Sequence, residues 1–338
     1  MTAPKKGAVI GRPAPTGPGA EEAPGCNRND YHAARSAAKK GTAAMKTYDL
    51  MIVGPATRDV NIDYTGIEDR SAGGAVTFCT PASVAAGAKV FAAVKIAPED
   101  KDIIDGFHMP PEDIALLPSE KTTLMKNVYF APDRERRDAS CPAQSDPVRP
   151  EEIPDVECRL YHLAGLLYGD FPNELIEFLH GKGMVAADAQ GFLRHNEDGK
   201  LCFHDWADKL KYLPYMDFLK TDAAEAEILT GLTDREAAAK RLHAWGAKEI
   251  LISHNTEMLA YDGKDLFTCP VMARNLSGRT GRGDTTFAAY LAMRMTGANM
   301  KDALLYATAC VSLKMETPGV FRGTKADVED YIREFYNG

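Results

Sequence analysis

The sequence predicts an α/β fold: a mostly parallel sheet with helices on both faces. Short apolar runs recur along the chain, each ending on a small or polar residue, and stretches with helical spacing lie between several of them. Strands that alternate with helices imply right-handed crossovers, which lay successive strands side by side in parallel. With 338 residues, 45% of them hydrophobic, the chain can bury one large core or two modest ones.

Residues 1–44 are rich in Ala, Gly and Pro and lack a secretory apolar core, so they are expected to form a disordered extension before a single domain over 45–338. From Met45 the strands are expected in "YDLMIVG", "CRLYHLAG", "GMVAADAQG", "MDFLKTD" and "KEILISHN". Helices are expected in "ELIEFLHGKG", "AAEAEILTG" and "DREAAAKRLHAWGAK", the last with Ala238, Leu242 and Trp245 at i, i+4 and i+7. Two segments break the rhythm, the turn-rich 60–75 and a ribbon-like "TTLMKNVYFAPDRERRDASCPAQSDP". Parts of 60–75 and 108–140 are read as a short β lid over a cleft, with "RERR" (Arg134 to Arg137) as a charged loop.

A net charge of −8 argues against a general affinity for nucleic acid, and no stretch reaches the ~18 apolar residues of a membrane span. Seven cysteines, Cys26, Cys79, Cys141, Cys158, Cys202, Cys269 and Cys310, contain no C-x-x-C pair. They read as reduced thiols of a cytoplasmic protein rather than a disulfide framework or a zinc site.

The chemistry concentrates in "SGRTGRGDTTFAAYLAMRM", Ser277 to Met295. Its spacing approaches a phosphate-binding loop, but Asp284 stands where the lysine belongs, and an anion there repels the phosphates it ought to hold. Gly281 and Gly283 instead allow a turn whose amides point outward, and the helix expected from Asp284 adds positive charge at its N-terminus. Such a nest suits a transferring phosphoryl group, while a carboxylate beside it takes the proton of an attacking hydroxyl. A plain capping aspartate is the alternative.

The motif resembles the ribokinase-like carbohydrate kinases, the phosphofructokinase-B family, whose signature reads D-T-x-G-A-G-D before a helix. Gly281, Gly283 and Asp284 match; Gly278 and Arg279 replace D-T, and Arg282 replaces alanine. The resemblance implies a three-layer sandwich with a small β lid and makes Asp284 the base, with Gly281, Arg282 and Gly283 around the phosphoryl group. Further stations follow in family order. Asp222 and Glu225 in "MDFLKTDAAEAEILTG" resemble the N-x-x-E segment that organises Mg²⁺, here read as acting through water. Ser253 and Asn255 fall at the nucleotide turn T-x-G, and Gly319 near the adenine pocket; Arg279 joins them on the donor side. On the acceptor side lie Asp59, preferred over Asp63, the pair Gly73 and Gly74, and Arg194 in "MVAADAQGFLR". That last stretch, D-x-Q-G-x-x-R over Asp188, Gln190, Gly191 and Arg194, resembles an inositol-kinase-like subgroup. Phe78 replaces an asparagine that often follows the two glycines.

These matches imply an ATP- and Mg²⁺-dependent kinase acting on a hydroxyl of a small sugar, polyol or cyclitol. A nucleoside kinase of the same family and a non-catalytic ligand-binding protein on the same scaffold are the alternatives. A homodimer through the lid is compatible with the resemblance, and a monovalent-cation requirement is left open.

Overall fold

The computed structural model describes residues 46–131 and 137–336; the expected extension over 1–44, and Arg134 and Arg136 of the charged loop, lie outside them. The chain enters along β1 (Thr47–Pro55), and one residue later β2 (Thr57–Ile62) and β3 (Glu68–Gly73) form a hairpin that leads into α1 (Ala75–Ala85). Next come β4 (Val90–Ile96), β5 (Ile114–Pro118) and the ribbon β6 (Thr123–Tyr129) and β7 (Arg137–Ala143). The middle of the chain runs β8 (Glu157–Leu163), α2 (Asn173–His180), β9 (Met184–Asp188), α3 (Gln190–Leu193), β10 (Arg194–Glu197) and β11 (Lys200–Phe203). After α4 (Lys209–Tyr212) follow β12 (Phe218–Asp222), α5 (Ala223–Thr230), α6 (Arg235–Ala244), β13 (Glu249–Ser253), β14 (Glu257–Tyr261) and β15 (Leu266–Pro270). The helices α7 (Arg282–Met295), α8 (Met300–Met315) and α9 (Lys325–Phe335) complete it.

The central sheet has the order β15-β14-β13-β12-β9-β8-β1-β4-β5. Strands β13 to β5 in that order are parallel, and β14 and β15 add an antiparallel hairpin at one edge. Alternation of side chains along β1 explains the three layers. Leu50 and Ile52 enter a core shared with α1, α7, α8 and α9, while Met51 and Val53 enter the opposite core with α2, α5 and α6. Ala238 and Leu242 are buried as their spacing predicts, and Trp245 packs at the margin of the same core. Among the described residues no helix is long and apolar enough to cross a membrane.

A second sheet, in the order β10-β11-β7-β6-β2-β3, stands over the carboxyl ends of the parallel strands. Two expectations about this lid change. Strand β5, inside the expected lid span, pairs instead with β4 in the central sheet (Ala93↔Ala115). The lid also draws on 194–203, a segment outside the expected span. Its signal is Asp198-Gly199: both residues have positive φ, 53° and 87°, as a two-residue hairpin turn requires.

Candidate active site

Helix α7 starts earlier than expected, at Arg282 rather than Asp284, with Gly281 as its N-cap at φ 74°. A side chain at Gly281 would overlap the ring of Phe78, so glycine is required there by both backbone and space. Asp284 is therefore the third helical residue, and the first-turn amides have no intrahelical acceptor. The turn is tied down from behind by Lys314 on α8, whose ammonium donates to the carbonyls of Gly278 (2.6 Å) and Thr280 and lies 5.3 Å from the Phe78 ring centre. Burial lowers Lys314 to about 8, against the pull of Asp284. Phe78 thus supports the turn at Gly281, and the polar contact that an asparagine offers at its position is absent.

Asp284 sits among charged groups from four strands and helices. Burial, reinforced by Asp188, pushes its carboxyl up to about 6, with Lys220, Arg194 and Lys314 pulling the other way. That value gives a carboxylate at neutral pH which still holds a proton well enough to accept one in a reaction. Lys220 and Asp188 are neighbours in register on β12 and β9, and the Lys220 ammonium donates to Asp188 Oδ2 at 2.9 Å. Lys220 is also 3.9 Å from Glu225 Oε2, and a Cβ on Gly283 would come within 2.9 Å of its Nζ. Gly283 therefore lets a buried cation approach the turn from beneath. Burial opposes the charge on Lys220, but Asp188 and Glu225 outweigh it and hold the group above the ordinary lysine value. Sequence reading missed Lys220; the available signal was a lysine inside the otherwise apolar strand "MDFLKTD".

Asp222 and Glu225 cap α5 reciprocally: Glu225 N donates to Asp222 Oδ1 (2.8 Å) and Asp222 N to Glu225 Oε2 (2.7 Å). The capping role and a place in the site coincide here. Burial raises Glu225, with Lys220 opposing and Asp188 and Asp222 adding to the rise. Each carboxylate engages one oxygen in the cap, which leaves one further oxygen on each, the ligand type that Mg²⁺ takes through water.

On the lid side Thr57 donates to Asp59 Oδ1 at 2.5 Å. Burial raises the Asp59 carboxyl, while Thr57, Arg137 and Arg194 lower it. A Cβ on Gly73, opposite Thr57 in the hairpin, would overlap the Asp59 carboxylate, and Gly74 turns at φ 89° into α1. Asp63 instead closes its own turn, accepting from Thr65 N (2.8 Å) and Ile67 N (3.0 Å). Arg194 joins the two halves of the cleft, since its charge acts on both Asp59 and Asp284. Its Nε donates to Leu166 O (2.9 Å), and its Nη2 is buried with no hydrogen-bond partner among the described residues.

The donor side differs from expectation in detail. Ser253 is buried beside Asp222 in register and directs its hydroxyl to Thr221 O (3.4 Å), so it belongs to the strand end. Asn255 is exposed and accepts from Arg282 Nη1 at 2.7 Å. Arg279 lies on the turn near Arg282 and helps to lower its value after burial does. Gly319, at φ 90°, follows a segment packed on the turn, where a Cβ on Gly278 would overlap Thr317 O. Beside it lies a cavity of about 500 Å³ lined by Lys314, Thr317, Phe321, Arg322 and Tyr331 among others.

With this geometry in hand, comparison with known proteins is decisive on family. The profile of the pfkB family of carbohydrate kinases matches residues 150–326. The chain belongs to the pfkB family. It is accordingly a kinase with a hydroxyl acceptor, which sets aside a purely ligand-binding scaffold. A solved pyrophosphate-dependent kinase in the ribokinase family, complexed with a pyrophosphate analogue and myo-inositol, is 32% identical. It covers 83% of this chain and 99% of its own at a TM-score of 0.75. Arabidopsis thaliana ribokinase, complexed with ribose and ATP, shares the fold at 15% identity and a TM-score of 0.67, covering 85% of this chain and 99% of its own. A cytidine kinase of Thermococcus kodakarensis is 25% identical over 284 residues, which is 79% of this chain and 94% of that protein.

Proposed function

We propose that this pfkB kinase phosphorylates a hydroxyl of a cyclitol, with Asp284 as the base and pyrophosphate as the phosphoryl donor. The observation that carries the chemistry is the position of Asp284: third residue of α7, beside the first-turn amides, with its carboxyl near 6. Asp284 takes the proton of the attacking hydroxyl. The amides of Gly283 and Asp284, with Arg282 and Arg279 outside and Lys220 beneath, stabilise the transferring group. Asp59 accepts acceptor hydroxyls, backed by Gly73 and Gly74, and the free Nη2 of Arg194 donates to the same molecule. Asp222 and Glu225 would hold Mg²⁺ through water; bound there, the ion would neutralise charge on the donor phosphates.

Two features support the choice of donor. The Arg282 to Asn255 contact spans the position where the T-x-G turn would hold nucleotide, and it favours a donor gripped by its phosphates alone. The relative at 32% identity is itself described as pyrophosphate-dependent and bound to myo-inositol. ATP is the second reading, favoured by the cavity beside Gly319. Phosphorus NMR of reactions containing myo-inositol with either pyrophosphate or ATP separates the two. A cyclitol phosphate formed with pyrophosphate at least 10-fold faster supports the proposal. Faster transfer from ATP transfers the case to the second reading, and preferential phosphorylation of nucleosides overturns the acceptor.

A further inference from the structure

The β10–β11 hairpin carries a set of side chains that phosphoryl transfer does not use. Its register pairs His195 with Cys202 and Glu197 with Lys200, so His195, Glu197 and Cys202 share one face, and His204 follows two residues after Cys202. The Asp198-Gly199 turn is too short to let the two strands slip. On that face the ligand atoms of Glu197, Cys202 and His204 all lie within 4.8 Å of one another. His204 Nε2 is 2.8 Å from Glu197 Oε1 and 3.4 Å from Cys202 Sγ. The His195 ring stands edge-on to His204 with centres 4.7 Å apart, and is itself stacked on Tyr168 at 4.1 Å.

We propose that Glu197, Cys202 and His204 form a binding site for a borderline-soft divalent cation, Zn²⁺ foremost, separate from the kinase centre. One oxygen, one sulfur and one nitrogen donor converge from the two strands of the hairpin and the residue just beyond them, the mixed set that zinc accepts in tetrahedral geometry. With bond lengths of roughly 2.0 to 2.3 Å, such a centre separates nitrogen from sulfur by about 3.6 Å and nitrogen from oxygen by about 3.4 Å. From the existing separations, the His204 to Cys202 distance has to open by about 0.2 Å and the His204 to Glu197 distance by about 0.6 Å, movements within the reach of side-chain rotation. Glu197 and a Cys202 thiolate together match the charge of the ion. Binding releases the Cys202 proton, and His195 or water completes the fourth position. The open fourth position and the exposure of Glu197 and His204 distinguish this from a closed structural site. Among the described residues the other cysteines are buried, and Cys202 alone offers a partly exposed sulfur.

The test is a calorimetric titration of chelator-treated full-length protein with Zn²⁺, paired with Co²⁺ absorption. The wild type is expected to bind one Zn²⁺ at micromolar concentration or tighter and to show thiolate-to-cobalt charge-transfer absorption. Cys202→Ser should abolish that absorption, and Cys202→Ser combined with His204→Ala should weaken Zn²⁺ binding at least 30-fold while the circular dichroism spectrum is unchanged. Absence of Zn²⁺ binding by the wild type, or undiminished binding by the double variant, would overturn the proposal.

Discussion

In the proposed mechanism Asp284 is one side chain that is costly to the fold and useful to the reaction. Its carboxyl is raised to about 6 because burial and Asp188 disfavour the charge. The native state therefore holds this proton more tightly than the unfolded chain does, so the contribution to stability is full at low pH and lost as pH rises through about 6. Asp284→Asn should consequently raise the stability measured by urea unfolding at pH 7.5 by up to ~3 kcal/mol, reduced by the partly open surface of the residue, and should change little at pH 4. The same variant should lower kcat by about 10² to 10⁴ while acceptor binding by calorimetry persists. In the wild type kcat/KM should rise with pH to a plateau above about 6, and a flat profile from pH 5 to 8 would count against Asp284 as the base. Gly73→Ala makes a different prediction. It pushes on the Asp59 carboxylate, so the acceptor KM should rise more than kcat falls.

At the scale of elements, the strand ends and the first turn of α7 share one electrostatic unit. Lys220 on β12 meets Asp188 on β9, Glu225 on α5 and the underside of Gly283. Lys220→Met should destabilise the fold by about 3 to 5 kcal/mol in urea unfolding, because it strands buried carboxylates. It should also move the acid limb of the kcat/KM profile above 6, since Lys220 is one of the groups that lower Asp284; an unmoved limb would separate it from the base. Much of this unit was legible in the sequence. The parallel strands, Asp284 with its two glycines, and the acidic start of α5 each follow from local pattern and resemblance. The Lys220 to Asp188 pair was not, because it depends on which strands neighbour each other across a crossover. Nor was the role of Phe78, which replaces a polar contact by packing under Gly281. The Cys202 cluster escaped for a related reason: a search for C-x-x-C pairs cannot find donors that only a hairpin register brings together.

For the whole molecule, the lid is assembled from three hairpins that leave the central sheet at three points, after β1, β5 and β9. Only Ala56 separates β1 from β2, so closure of that hairpin over a bound acceptor would require twisting of continuous strands rather than the swing of a long loop. Hydrogen exchange should therefore report the lid amides as a unit that opens before the parallel strands, and acceptor should slow all three hairpins together. Protection limited to β2 and β3 would contradict a lid acting as one plate. The pairing of β2 with β6, Thr57 with Thr123, also joins segments far apart along the chain. On a ribosome, then, the segment of β2 emerges before that of β6, and until β6 follows, an edge formed there would be open to pairing with a neighbouring chain.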